Sequence, residues 1–219
     1  MKRRTLDLLF SAGGVLLAGL LLVLGMVMTS NANFAKGYVK DQLSQQHITF
    51  KTAATLTPEE AKSACLNKYA GLPLTTGKQA ECYANEFIGL HLKTSTGNQT
   101  YADLGVPQSA LTAKIAAAKA ADPNDPAIAD LQAQLTKVSG QRDTAFKGET
   151  LRGLLLTSYG FSVFGVKGGQ VANVAYLAAA LMVLLSIAGF AHAMRTPKNA
   201  MFAAPDASPV KQSDKQLVS

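Results

Sequence analysis

Two long apolar runs without any Asp, Glu, Lys or Arg dominate the hydropathy pattern of the chain. The first reads LLFSAGGVLLAGLLLVLGMVM over residues 8–28, and the second reads VANVAYLAAALMVLLSIAGFAHAM over residues 171–194. A helix rises about 1.5 Å per residue, so each run is long enough to cross a hydrocarbon layer of about 30 Å. The pattern therefore predicts transmembrane helices at residues 8–29 and 170–194.

The first run follows a basic start, MKRR, which is typical of signal peptides as well as of membrane anchors. The apolar core of a signal peptide is usually about 7–15 residues long and ends at a small-x-small cleavage site. This run is longer, and it leads into TSNANF, which is a poor cleavage site. An uncleaved anchor is therefore favoured, with residues 1–7 as a short cytoplasmic N-terminus.

Cationic residues flank the two runs unevenly, and this asymmetry predicts the orientation. The ends facing the chain termini carry more of them than the ends facing the middle of the chain: Lys2, Arg3, Arg4, Arg195 and Lys198 against Lys36, Lys40 and Lys167. The excess predicts a multi-pass protein of the plasma membrane with both termini in the cytoplasm. Residues 195–219 are polar and contain Pro and Ala, so a disordered cytoplasmic tail is predicted.

Between the runs, residues 30–169 predict one mainly helical extracytoplasmic domain. Helical signals cover residues 33–46, 57–68, 78–92 and 107–121, and they resume after DPNDP. Thr57 can cap the second of these helices, with Glu60 completing a capping box. A short extended piece is expected only at residues 47–52. After DPNDP, an apolar seam of about two heptads favours core packing over a coiled-coil partner site: Ile128, Leu131, Leu135 and Val138.

Residues 151–166 are apolar but carry Arg152, and they are short for a membrane span. Lys167, Gly168 and Gly169 are expected to separate them from the second apolar run. The favoured interpretation is a membrane-proximal helix packed in the domain or on the membrane surface. A contact site for another membrane protein is an alternative, with the transmembrane helices as further contact surfaces. A third crossing is least favoured, because it would place the two termini on opposite sides.

The chain has two cysteines, Cys65 and Cys82, one on each of two successive predicted helices. In an oxidising compartment such a pair is typical of a structural disulfide. It would close a loop of about 17 residues and stabilise the fold by roughly 3 kcal/mol. A redox-active pair is the alternative, but it usually needs closer spacing or an electropositive helix N-terminus.

The formal net charge of +7 is spread over both termini and the middle of the chain. A nucleic-acid-binding protein would concentrate it in one basic stripe with interleaved aromatic residues. The sequence therefore predicts no nucleic-acid partner, and it predicts attraction of both basic ends to an anionic lipid bilayer.

Catalytic motifs such as GxSxG, the P-loop, GxGxxG and HExxH do not occur in the sequence. A metal site of two histidines and one carboxylate is formally possible from His47, His91 and Glu86. Glu86 and His91 are five residues apart, however, which places them on different helix faces. We therefore expect no catalytic residue, no cofactor and no metal. Gly13, Gly19 and Gly25 are six residues apart, so they miss the GxxxG period of paired transmembrane helices.

Four stretches, RRTLDLLFSAGGVLLAGLLLVLG, MTSNANFAKGYVKDQL, PLTTGKQAECYANEFIGLHL and TYADLG, resemble a family of uncharacterised actinobacterial two-pass membrane proteins. The resemblance covers most of the chain. It implies a Gram-positive cell envelope, and hence an outer face on which a disulfide can form. It implies no activity, substrate or functional residue.

The leading hypothesis is a non-enzymatic accessory or scaffold component of a cell-envelope membrane complex. It rests on two spans without charges, a disulfide-linked helical domain and an apolar segment close to the membrane. The alternative is an envelope sensor or ligand-binding module, which a concave pocket in the domain would favour. An enzyme is the third and least favoured hypothesis.

Overall fold

The computed structural model describes residues 2–201 as a mainly helical chain with two long apolar helices and one disulfide, which confirms the predicted fold class. The α-helices in this range are α1 Arg3–Ser44, α2 Ala64–Tyr69, α3 Gly77–Cys82, α4 Gly89–Thr96, α5 Tyr101–Ala121 and α6 Ala127–Arg195. Short 3-10 turns at Ala53–Thr55 and Glu60–Lys62 precede α2, and a π-helical turn at Tyr83–Ile88 joins α3 to α4. The tail predicted to be disordered, residues 195–219, lies outside the described residues from residue 202 onward.

The chain divides into two compact units. Met1–Met28 and Val171–Ser219 form the first, which we call the helix-pair unit. Thr29–Gln170 form the second, which we call the middle unit. Both α1 and α6 contribute residues to each unit.

Small side chains form the contact between α1 and α6 in the helix-pair unit. The buried small residues of α1 follow a heptad spacing and are Ser11, Gly14, Ala18 and Gly25. Those of α6 follow the same spacing and are Ala172, Ala175, Ala179, Ser186 and Ala193. A Cβ added to Gly14 would overlap the Ser186 side chain, and one added to Gly189 would overlap Ser11. Close backbone approach of this kind is how helices pair in a lipid environment.

Large apolar side chains cover the outer faces of both helices in the helix-pair unit. Only 22% of the most apolar window of α1 and 17% of that of α6 is buried. The core helix of a soluble protein would be mostly buried over such a window. Both helices are therefore long and apolar enough to cross a membrane, and their exposed faces suit contact with lipid.

The start of α1 and the end of α6 meet in the helix-pair unit. The Arg3 N–H donates a hydrogen bond to the Ala200 carbonyl at 3.1 Å. Asp7 Oδ2 lies 3.1 Å from His192 Nδ1. The two helices are thus antiparallel, and the described ends of the chain lie on the same side of the pair.

The middle unit has its core where α1 and α6 meet the short helices. Val39 and Leu43 of α1 and Leu155 of α6 are buried there. They share this core with Phe50, Leu66, Leu74, Ala80, Cys82, Ala84, Ile88 and Leu92. The extended piece predicted at residues 47–52 is present, because the Phe50 N–H donates to the Leu72 carbonyl at 3.0 Å and the Leu74 N–H to the Ile48 carbonyl at 2.8 Å.

The helix predicted at residues 57–68 is divided at Ser63, so that prediction was wrong in part. The capping box forms, with the Glu60 N–H donating to Thr57 Oγ1 at 3.2 Å and the Thr57 N–H donating to Glu60 Oε2 at 2.7 Å. The turn ends at Lys62, because Ser63 has an extended backbone and its hydroxyl accepts the Leu66 N–H. Serine is a strong N-cap, and here it starts α2 as a new helix.

α5 begins at Tyr101 rather than at the predicted Pro107. Thr100 and Asp103 form a capping box, in which the Asp103 N–H donates to Thr100 Oγ1 at 3.2 Å and the Thr100 N–H to Asp103 Oδ2 at 2.9 Å. Proline is common in the first turn of a helix. The capping box outweighs this preference, and Pro107 lies inside the helix.

α6 continues without a break through Lys167, Gly168 and Gly169, where the sequence predicted a separation. Gly165 shows why small residues are needed nearby, since a Cβ there would lie 3.0 Å from the Ala35 Cβ of α1. The glycine therefore permits a close helix contact instead of a turn. Residues 151–166 therefore belong to the same helix as the second apolar run.

The glycines of α1 allow a matched test of the helix contact. Gly14→Leu is expected to destabilise the helix pair by about 1–3 kcal/mol, because the new side chain overlaps Ser186 and Met182. Gly13→Leu is the control, since nothing lies within 4 Å of a Cβ at Gly13. The measurement is the thermal unfolding midpoint of the full chain in detergent. Equal midpoints for the two variants would contradict the packing described.

Candidate functional site

The predicted disulfide is present and joins Cys65 in α2 to Cys82 at the end of α3, with Cα atoms 6.0 Å apart. Cys82 is buried in the core of the middle unit, and Cys65 packs against that core. The bond ties the short α2 segment to the longer helical stretch formed by α3, the π-helical turn and α4. In the chain-entropy model, closing this loop stabilises the fold by about 3 kcal/mol.

A fully buried carboxylate, Glu60, lies beside the core. Lys51 Nζ donates to both of its oxygens, at 2.8 Å and 3.0 Å, and the Thr57 N–H supplies a third hydrogen bond. His91 Nε2 lies 3.5 Å from Glu60 Oε1. His91 Nδ1 carries a hydrogen, because its partner at 2.7 Å is the Phe87 carbonyl oxygen, which can only accept. Lys51 and Thr57 thus hold the carboxylate from two sides.

The pKa of Glu60 reflects two opposing effects. Burial raises it, but the hydrogen bonds from Lys51 and Thr57 and the positive charge of Lys51 bring the pKa below the ordinary value of 4.5. Glu60 therefore stays ionised at neutral pH and pairs with Lys51. The pKa of the neighbouring Tyr83 hydroxyl is raised, chiefly by burial and secondly by the negative charge of Glu60.

Aromatic rings surround this ion pair in a continuous row. Phe50 contacts both Tyr69 and Tyr83, with ring centroids 5.5 Å and 5.3 Å apart. Tyr83 contacts Phe87 at 4.6 Å, and Phe87 contacts His91 at 4.4 Å. Lys51 Nζ lies 5.3 Å from the centre of the Phe87 ring, so its charge also meets an aromatic face. The row of rings links α2 to the π-helical turn and α4.

The formally possible metal set is not assembled. His91 is turned towards Glu60 and the Phe87 carbonyl. His47 lies in the turn after α1, and Glu86 lines a polar depression beside Glu59 and Lys62. Within residues 2–201, no group of three or more His, Cys, Asp or Glu side chains has the arrangement of a metal site.

An open groove of about 400 Å³ lies between α1 and α6 in the middle unit. Val39, Leu43 and Leu155 form its buried base. Its complete lining is Tyr38, Val39, Gln42, Leu43, Gln46, Ile48, Leu151, Leu154, Leu155, Thr157, Ser158 and Phe161. The volume falls in the range of about 300–1,000 Å³ that is usual for small-molecule sites. We therefore regard this groove as the candidate functional site.

The side-chain donors that the groove leaves to a ligand are on the α1 wall, at Tyr38, Gln42 and Gln46. The Thr157 hydroxyl donates to the Gly153 carbonyl at 2.9 Å, and the Ser158 hydroxyl donates to the Leu154 carbonyl at 3.1 Å. Both hydroxyls are thus engaged with their own helix, as is common for Ser and Thr within helices. The groove suits an apolar occupant, and its lining contains no charged side chain.

An aromatic cluster borders the groove where the two helices draw together. The rings of Phe34 and Tyr38 are stacked with centroids 5.8 Å apart, and Tyr38 meets Phe161 edge-on at 5.9 Å. Next to this cluster α1 and α6 touch through Ala32, Ala35 and Gly165. The two helices therefore touch where the facing residues are small, and the groove lies where the facing residues are larger.

Sequence reasoning found part of this site and missed the rest. It singled out residues 151–166, which supply the α6 wall, and it predicted a helix over residues 33–46, which supply the α1 wall. It did not pair the two walls, nor did it identify Lys51 as the partner of Glu60. The small residues Ala32, Ala35 and Gly165 were the available signal for the pairing.

No protein-family model matches the chain, and neither a curated protein nor a solved structure matches it.

Neutralising Glu60 is expected to remove part of the pH dependence of folding. Its pKa is lower in the folded chain than in the unfolded chain, so its contribution is present above pH of about 4.5 and is lost as the pH falls through the folded value. Glu60→Gln should lower the free energy of unfolding at neutral pH by about 3 kcal/mol and flatten its fall in acid.

The exposed neighbour Glu59, which pairs with Lys62 at the surface, provides the control for this measurement. Glu59→Gln should change stability by less than about 0.5 kcal/mol. Chemical denaturation of the full chain in detergent, followed between neutral and acidic pH, gives both values. An unchanged acid slope in Glu60→Gln would argue against the proposed role of the carboxylate.

Proposed function

We propose that this chain is a two-span protein of the cell membrane, with both termini in the cytoplasm and the middle unit on the outer face. The contacts of Arg3 with Ala200 and of Asp7 with His192 support a common side for the two ends. Cationic residues concentrate at these ends, as is typical of the cytoplasmic side. The Cys65–Cys82 disulfide supports an oxidising compartment for the middle unit.

Within this placement, we propose a non-enzymatic accessory or scaffold component of a cell-envelope membrane complex. The observation that carries the proposal is a set of exposed apolar side chains in the middle unit, outside the two apolar runs. Phe164 is 77% exposed and Phe34 is 63% exposed, and Leu154, Phe161 and Tyr38 are exposed beside them. Clustered exposed apolar side chains are typical of contact sites for proteins or membranes.

The helices that carry these side chains suit a scaffold. Phe34 lies on α1 and Phe164 on α6, and each of these helices also contains one of the two apolar runs. Side chains fixed on uninterrupted helices are held more rigidly than side chains on loops. A second membrane protein that packs on the middle unit would meet Phe34 on α1 and Phe164 on α6.

A second candidate function is an envelope sensor or ligand-binding module. The groove between α1 and α6 favours it, because a concave apolar site is the usual form of a small-molecule pocket. The two surfaces share Tyr38, Leu154 and Phe161, which line the groove, whereas Phe34 and Phe164 belong to the exposed set alone.

Site-specific photo-crosslinking in living cells tests the scaffold proposal. A photoreactive amino acid at Phe164 is expected to give a discrete protein adduct that is reproducible in mass and identity. The same residue at Gln134, which is exposed on a polar part of α6, is the control and should give none. Equal background at both positions, or adducts to lipid alone at Phe164, would count against a protein partner there.

A further inference from the structure

The chemistry of the groove restricts what can occupy it. Its lining lacks charged side chains, so an ionic ligand would lose its hydration without gaining a partner. An extended peptide would bury backbone N–H and C=O groups against aliphatic walls, which is also unfavourable. The remaining side-chain donors are the amides of Gln42 and Gln46 and the Tyr38 hydroxyl, since the Thr157 and Ser158 hydroxyls donate to their own helix.

The groove is narrow because its two walls are neighbouring helices that touch beside it. Gly165 brings α6 against Ala32 and Ala35 of α1 at one end. Further along, Val39 and Leu155 fill the base and leave an open slot above them. Along α1 the slot extends from Tyr38 to Gln46, which is about 12 Å at the helical rise. A single flexible chain suits such a slot.

Exposed apolar side chains flank the groove on both of its walls. On α6, Phe161 lines the groove, and Phe164 and Val166 are exposed beyond it in sequence. On α1, Tyr38 lines the groove, and Phe34 is exposed one turn before it. The occupant of the groove therefore meets apolar side chains next to the groove as well.

The walls of the groove lie outside both apolar runs in the sequence. Tyr38 follows the end of the first run, Met28, by ten residues, and Phe161 precedes the start of the second run, Val171, by ten residues. In the proposed membrane placement these two runs are the spans, so the groove walls are not among the residues assigned to the bilayer interior.

We propose that the groove between α1 and α6 binds one hydrocarbon chain of an envelope lipid, held outside the bilayer interior. The chain lies against Leu151, Leu154 and Leu155, and the polar end of the lipid is directed towards Gln42 and Gln46. This inference rests on the proposed membrane placement and deepens the ligand-binding candidate. Burying apolar surface at about 25 cal/mol per Å² supplies the driving force for binding.

Photo-labelling of the full chain in native membranes tests this inference. The probe is a long-chain fatty acid carrying a diazirine, which cells incorporate into their lipids. We expect labelled peptides from residues 38–48 or 151–161, in addition to peptides from the two apolar runs. Leu154→Glu, which places a charge at an exposed groove position, should reduce groove labelling about tenfold.

Val106→Glu is the matched control, because Val106 is 75% exposed on α5 and does not line the groove. Labelling confined to the apolar runs would overturn the inference and leave the membrane placement intact. Unchanged groove labelling in Leu154→Glu would also overturn it, as would a photoreactive residue at Leu154 that captures a protein instead of lipid. Absence of the chain from the membrane fraction would overturn the placement itself and the inference with it.

Discussion

The close contact of α1 with α6 through small side chains is the interaction on which the rest of the structure depends. In the helix-pair unit, the missing side chain of Gly14 leaves room for Ser186, and that of Gly189 leaves room for Ser11. In the middle unit, Gly165 admits Ala35. Close approach maximises dispersion contacts and costs little side-chain entropy, which makes it effective where hydrophobic burial gives no gain. Each substitution by a bulky residue would push the two longest helices apart.

The size of the facing side chains then determines whether a part of these helices forms a direct helix contact or lines the groove. Where the facing residues are Gly, Ala or Ser, the helices touch, and their outer surfaces are free to meet lipid. Where Val39, Leu43 and Leu155 take over, the helices provide the floor of a groove and one side of the core of the middle unit. The short helices are anchored to this core by the Cys65–Cys82 disulfide and by the buried pair of Glu60 with Lys51.

Local patterns predicted the features that depend on local chemistry. The two apolar runs were found because the thickness of a bilayer fixes their length, and the disulfide because two cysteines allow a single pairing. The break at Ser63 and the early start of α5 were missed, because in each place a second capping residue, Ser63 or Thr100, starts the helix. The pairing of the two groove walls was missed, because it depends on Ala32 and Ala35 meeting Gly165, which lies far from them in sequence. The partner of Glu60 depends on tertiary packing, which no local pattern encodes.

Cysteine accessibility in intact cells tests most directly whether both runs cross one membrane and leave the groove outside. The native cysteines are bonded to each other, so a single introduced thiol reports alone. A membrane-impermeant maleimide is expected to label Gly153→Cys, at an exposed position with open space around it, in intact cells. It should label Asn199→Cys, beyond the end of α6, only after the membrane is permeabilised. Labelling of Asn199→Cys in intact cells, or protection of Gly153→Cys until permeabilisation, would contradict the account.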